Sequence, residues 1–190
     1  EEDEEGIQFV GRSGQLLRDR IPKEFKFRIR WNNVIRNRPP RNRTPTTIEI
    51  ECCRPSLIRD IEKTRPKAIF GFGGVPLDWA TGSSGAYLWR GRHLPIRVGS
   101  NMCWYFPMLH PAGLLRMRRI NQRTGRVNRS EAERTFERDL ERAFALVERL
   151  PDAVVEAPRA ADGSFPGVSF VTGERGDLEE VKQQLAHFRS

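Results

Sequence analysis

Apolar residues recur at helical spacing most clearly along Ala132, Phe136, Leu140, Ala143, Phe144, Val147 and Leu150, a single stripe ended by Pro151 and preceded by the capping-box pattern Ser130-Glu131-Ala132-Glu133. This predicts a packing helix. Earlier helices are expected near Gly14 to Arg20, over Val75 to Ala80, and from Thr44-Pro45, where Leu57, Ile58 and Ile61 give a buried face and Pro55 begins a second turn or kinks the first. Strands are read at Ala68 to Phe72, closed by Gly73-Gly74, at Leu94 to Val98 and at Met102 to Phe106. Phe25 to Ile35 alternates enough to predict a further strand, ending in the polar loop Arg38-Pro39-Pro40-Arg41-Asn42. Alternating strands and helices indicate a parallel, layered α/β sheet. Pro158 to Gly167 reads as a linker and Asp177 to Phe188 as a last short helix, and there are no internal repeats. The expected organisation is one main domain over residues 1–150, with 151–190 a linker and short carboxy-terminal extension.

Composition narrows the class. With 190 residues and 37% hydrophobic content the chain can bury one good core, and no apolar run approaches the ~20 residues of a membrane helix. The expectation is a soluble, cytoplasmic monomer. The run Glu1-Glu2-Asp3-Glu4-Glu5 looks like a surface loop, so further residues are expected before it.

The net charge of +8 is unevenly spread. Between Phe25 and Ile48 stand Lys26, Arg28, Arg30, Arg36, Arg38, Arg41 and Arg43 with no acid, and between Leu114 and Ser130 six arginines with no acid. Arg outnumbers Lys twenty-eight to five. Such blocks suit forked contacts to a polyanion, the alternative being a solvated basic face. The three cysteines, Cys52, Cys53 and Cys103, include no C-x-x-C pair, so neither a disulfide framework nor a zinc site is indicated, and no metal is expected.

The candidate chemistry lies in Phe106-Pro107-Met108-Leu109-His110-Pro111-Ala112-Gly113-Leu114-Leu115-Arg116, where a strand breaks into a loop carrying a histidine. Strands of a parallel sheet deliver functional groups at their carboxyl ends, although a hydrogen-bonded structural histidine is the alternative reading. Read with Gly6 to Leu17, Trp31 to Arg43 and Arg65 to Gly73, this block resembles the uracil-DNA glycosylase superfamily, in particular its iron-sulfur, or family 4, branch. The four blocks run in collinear order from about Glu2 to Arg116.

The resemblance implies a three-layer sandwich with a central, mostly parallel four-stranded sheet, and an enzyme that flips uracil or a modified pyrimidine out of DNA and excises it, leaving an abasic site. Phe9 would stack on the flipped base. Asn33 would read its Watson-Crick edge, with Asn32 beside it leaving the register open by one. His110 would donate to O2 of the leaving base. Arg12, Arg38, Arg41, Arg43 and Arg116 would meet DNA together with Pro111, while Leu114 or Leu115 would press into the duplex as an apolar wedge, ordinary core packing being the alternative. Arg90-Gly91 would shape the fold or meet phosphate.

Departures from the branch are equally specific. Cys53, before Arg54-Pro55, stands where one cluster cysteine is expected, but Asn37 replaces the cysteine before Arg-Pro-Pro and the amino-terminal pair is absent from the sequence. The iron-sulfur cluster is therefore expected to be lost, leaving no cofactor. The Gly-Glu-x-Pro-Gly motif that supplies the branch's carboxylate is also not among these residues, and Glu1 to Glu5 do not substitute for it. Two competing readings are a catalytically silent DNA-binding module of the same fold, such as part of a replication polypeptide, and a nucleotide-handling enzyme on the same scaffold.

Overall fold

A computed structural model describes residues 11–117, 119–120, 127–128 and 130–152. Phe9, the acidic run Glu1 to Glu5, the linker and the last helix expected from sequence lie outside the described residues. The chain divides into Glu1–Val154 and Val155–Ser190, and all described residues belong to the first unit.

Three strands make the sheet: β1 (Ala68–Phe72), β2 (Leu94–Val98) and β3 (Asn101–Met108), in the order β1-β3-β2. β1 runs parallel to β3, with Ala68 opposite Trp104 and Phe72 opposite Met108. β2 joins β3 as an antiparallel hairpin turned at Gly99, whose φ is +58°. A short antiparallel pair, β4 (Arg119–Ile120) and β5 (Val127–Asn128), lies apart from this sheet. The described residues thus form a mixed α/β fold whose main sheet has three strands and one parallel pairing.

Side-chain alternation along the strands assigns the two faces. Ala68, Phe70, Phe72, Phe106 and Met108 pack on one side with α1 (Arg12–Arg18), the start of the chain after it, α5 (Pro111–Arg116) and α6 (Glu131–Arg149). Phe70 stacks 5.0 Å from Phe106 and 4.9 Å from Phe144, and Phe25 lies 4.7 Å from Phe144. Ile69, Ile96 and Val98 face the other side, against Ile50, Leu57 and Ile61 of α2 (Thr47–Thr64) and Trp79 of α3 (Gly74–Thr81). One short helix, α4 (Ala86–Trp89), precedes β2. Both faces of the sheet are covered by helices.

The strand expected over Phe25 to Ile35 is not formed. A 3-10 turn over Lys23–Phe25 continues through an Arg28 N–H to Phe25 carbonyl bond of 2.9 Å. Phe25 is core, yet Phe27, which shares its phase, is 99% exposed. Period-2 spacing here reflects a turning chain fixed by side chains.

The carboxy-terminal helix forms as its stripe predicts. Ser130 accepts the Glu133 N–H at 3.2 Å, while the fully buried Glu133 carboxylate accepts from Arg20 at 2.8 Å. The complete capping box is at α2, where Thr46 and Glu49 exchange side-chain and backbone bonds. Pro55 sits inside α2 without ending it. Arg90 donates to the buried Asp139 of α6 at 2.7 Å, which gives Arg90-Gly91 a fold-shaping role.

Candidate functional site

His110 caps α5 immediately beyond the carboxyl end of β3. Its ring Nδ1 accepts the Ala112 N–H at 3.1 Å. A neutral imidazole whose Nδ1 is an acceptor carries its proton on Nε2, a tautomer that follows from that bond. The residue is exposed at the end of a buried strand. Pro111 occupies the first helical position, where its missing N–H costs no bond.

The adjacent parallel strand β1 ends at the same place. Gly73 donates its N–H to the Met108 carbonyl at 2.8 Å, extending the pairing by one residue. Its φ is +92°, and a Cβ there would lie 3.1 Å from His110 Cβ and 3.2 Å from Cδ2. Only a glycine allows this close approach without strain. Gly73 thus forms the wall against which the imidazole rests.

Asn33 lies in the segment joining the two packing layers: Trp31 packs toward the α6 side, and Val34 and Ile35 toward the α2 side. Arg18 of α1 lies over the Trp31 ring at 5.1 Å. The two neighbouring asparagines differ sharply. Asn32 donates to Asp60 at 2.6 Å and accepts from the Asn33 N–H at 3.0 Å and Arg36 at 2.7 Å. Those bonds engage both ends of the Asn32 amide, whereas among the described residues the Asn33 side chain makes none.

The basic residues divide in the same way. Arg43 forks onto Glu49 at 2.7 and 2.8 Å, and this guanidinium, with help from the Thr46 N–H, pulls the Glu49 carboxyl down to about 2. Arg38 bonds Asn42. Arg41 is exposed, with a left-handed φ of +56°. Arg12 is exposed on the first turn of α1, which packs against α5, so Arg12 and Arg116 belong to neighbouring helices. Arg116 is exposed and bonds the Ala112 carbonyl at 3.3 Å.

The two leucines expected as a wedge, Leu114 and Leu115, differ in exposure. Leu114 is 2% exposed and belongs to the main core with Leu16, Leu17 and Phe136. Pro111 is likewise buried, and Leu115 is half-buried against the same core. Met117, 57% exposed, is the large apolar side chain that faces outward just beyond α5.

Residues 1–141 match the model of the uracil DNA glycosylase superfamily. The chain belongs to that superfamily. Curated relatives named Type-4 uracil-DNA glycosylase include one from Thermotoga maritima, 32% identical over 153 residues that cover 78% of this chain and 73% of that protein. Another, from Sulfurisphaera tokodaii, is 32% identical over 60% of this chain and 56% of its own length. A third, from Pyrobaculum aerophilum, is 42% identical over 74 residues, 38% of each chain. The chain spans between under two fifths and nearly three quarters of these relatives' lengths.

The cluster implied by the iron-sulfur branch can be tested against this member's residues. The Arg36 N–H points at Cys53 Sγ at 3.4 Å, so Asn37 and Cys53 do come from segments in contact. Cys103 is buried within β3, where desolvation pushes its thiol up to about 11, and Cys52 is exposed. Among the described residues no three His, Cys, Asp or Glu side chains gather as a metal group. These residues do not fit a cluster needing about four thiolates.

Proposed function

We propose that this superfamily member is a DNA glycosylase that extrudes uracil, or a modified pyrimidine, and cleaves its N-glycosidic bond, leaving an abasic site. The observation that carries the reading is His110: an exposed histidine, fixed through Nδ1 and walled by Gly73, at the carboxyl ends of the parallel strands β1 and β3.

Bond cleavage leaves negative charge on the departing base. His110 Nε2–H donates to O2 as that charge develops, and loss of such a donor typically costs ~3 to 4 kcal/mol of barrier. Asn33 supplies an amide donor to O4 and an acceptor to N3–H, the pairing that selects uracil. Phe9 provides the stacking face for the extruded ring, a contact worth ~1 to 3 kcal/mol. Arg12, Arg38, Arg41 and Arg116 meet phosphates, with Arg43 contributing less because Glu49 already engages it. Leu115 and Met117 fill the space in the duplex. The catalytic carboxylate is not assigned to any residue of this chain.

This chain works as a monomer in the cytoplasm on DNA, with no cluster of its own and with residues 151–190 as an extension. Purified protein is expected to be colourless and to lack stoichiometric iron. Visible absorbance with about four irons per chain would contradict the proposed loss of the cluster.

Incubation with a uracil-containing oligonucleotide tests the activity: an alkali-labile abasic product is expected, from uracil first and modified cytosines next. DNA binding with no base released from any of these substrates would instead favour the silent module of the same fold.

A further inference from the structure

Asn33 occupies a stretch, residues 26–37, that has neither helix nor strand. A residue that distinguishes bases by the two ends of an amide must nevertheless be held in one orientation. The backbone ladder does not do this, so side chains must.

They come from one face of α2. Cys53, Ser56 and Asp60 are spaced three and four residues apart, which places them on one side of the helix. Cys53 Sγ accepts the Arg36 N–H at 3.4 Å. Ser56 Oγ accepts from the Arg36 guanidinium at 3.2 and 3.1 Å. Asp60 receives Arg30 through both oxygens, at 2.8 and 2.5 Å, and Asn32 Nδ2 at 2.6 Å. From Asn32 the lacing passes to the Asn33 N–H and back to Arg36.

We propose that Asp60 is the positioning residue for base recognition: by taking the Nδ2 end of Asn32, its carboxylate directs Asn32 Oδ1 onto the Asn33 N–H and so fixes how Asn33 is presented. The inference rests on Asn33 being the residue that reads the base.

An ionised carboxylate only accepts, so it imposes one amide orientation on Asn32. The opposite orientation would set Asn32 Nδ2 against the Asn33 N–H and the Arg36 guanidinium, donors facing donors, and Oδ1 against the carboxylate. The Arg30 hydrogen bond holds the Asp60 carboxyl below its ordinary range, which favours the ionised form at neutral pH. An asparagine in place of Asp60 would remove this constraint, because its own amide offers a donor as well as an acceptor.

The test compares Asp60→Asn, Asn32→Asp, the exchange variant carrying both changes, and Asn33→Ala. The readouts are kcat/KM for uracil release, affinity for undamaged duplex, thermal midpoint, and hydrogen exchange of the Asn33 amide. Each of the Asp60→Asn and Asn32→Asp single variants is expected to lose about tenfold or more in kcat/KM and to expose the Asn33 amide, with duplex affinity near that of the parent. The exchange variant restores a carboxylate facing an amide, with the carboxylate now on the residue that holds the Asn33 N–H, and is expected to return to within about threefold of the parent.

Parent-like kcat/KM in Asp60→Asn would overturn the proposal. So would an exchange variant that recovers the thermal midpoint but not kcat/KM, because that is the behaviour of a purely structural bond. Asn33→Ala separates the two levels: if it too is parent-like, or if the parent releases no uracil, the base-reading role itself fails and the proposal with it. If Asn33→Ala is inactive and Asp60→Asn is not, only the positioning role fails.

Discussion

At the scale of single residues, the site depends on side chains whose polar ends are already fixed on one side. His110 uses Nδ1 on its own helix, and the Asn32 amide is engaged at both ends by its neighbours. Gly73 is the least conspicuous participant. Gly73→Ala places a Cβ at van der Waals conflict with His110 while forcing a φ of +92° on alanine. It is expected to lose about 1 to 3 kcal/mol of stability and to slow base release about tenfold or more, with duplex affinity kept. Thermal unfolding and single-turnover assays of that variant check both effects. Asn33→Asp exchanges a donor for a second acceptor and is expected to abolish uracil recognition or change the accepted base, read from a panel of oligonucleotides differing in one pyrimidine. The position of His110 at a strand end was legible in the sequence, whereas Asn33 was expected in a strand that does not form and Phe9 lies outside the described residues. Asp60 was not legible, because its partner Asn32 is 28 residues away and no local pattern announces the contact.

At the scale of elements, α5 shows how packing decides what a motif residue does. Its six residues seal the core through Leu114, so Leu114→Ala is expected to cost about 2 to 5 kcal/mol in denaturant unfolding, whereas Met117→Ala should stay within about 0.5 kcal/mol. Unchanged stability in Leu114→Ala would contradict that sealing role. Acid acts on the start of α2. The Glu49 carboxyl is drawn from 4.5 to about 2 by Arg43, so the stabilisation it contributes is complete above 4.5 and is lost as pH falls through 2. Hydrogen exchange at the first turn of α2 should accelerate over that window in the parent and show no such window in Glu49→Gln. Helices and strands with a clean period were readable: α6 from its stripe, β1 and β3 from short apolar runs closed by glycine or proline. The segment 25–35 misled because Phe27 keeps the phase of Phe25 while pointing to solvent, and period alone does not report which side of a turning chain is buried. The Thr46-x-x-Glu49 box was readable from its spacing but was eclipsed by Thr44-Pro45 as a start signal.

For the whole molecule, the basic blocks flank the elements that bear His110 and Asn33, so DNA binding should weaken steeply with salt. Arg41→Gln is expected to reduce the slope of log K against log salt by about one, and Arg43→Gln by less, because its charge is shared with Glu49. Salt-independent binding would remove the nucleic-acid reading altogether. Catalysis is proposed to come from a His110 donor aimed at the leaving base. That proposal is tested most directly by the single-turnover rate of uracil release in the parent and in His110→Ala, measured beside their affinities for the same duplex. A fall of about two orders of magnitude or more with affinity nearly unchanged is the predicted result, because the lost bond strengthens only as charge develops. A His110→Ala protein as active as the parent would contradict it.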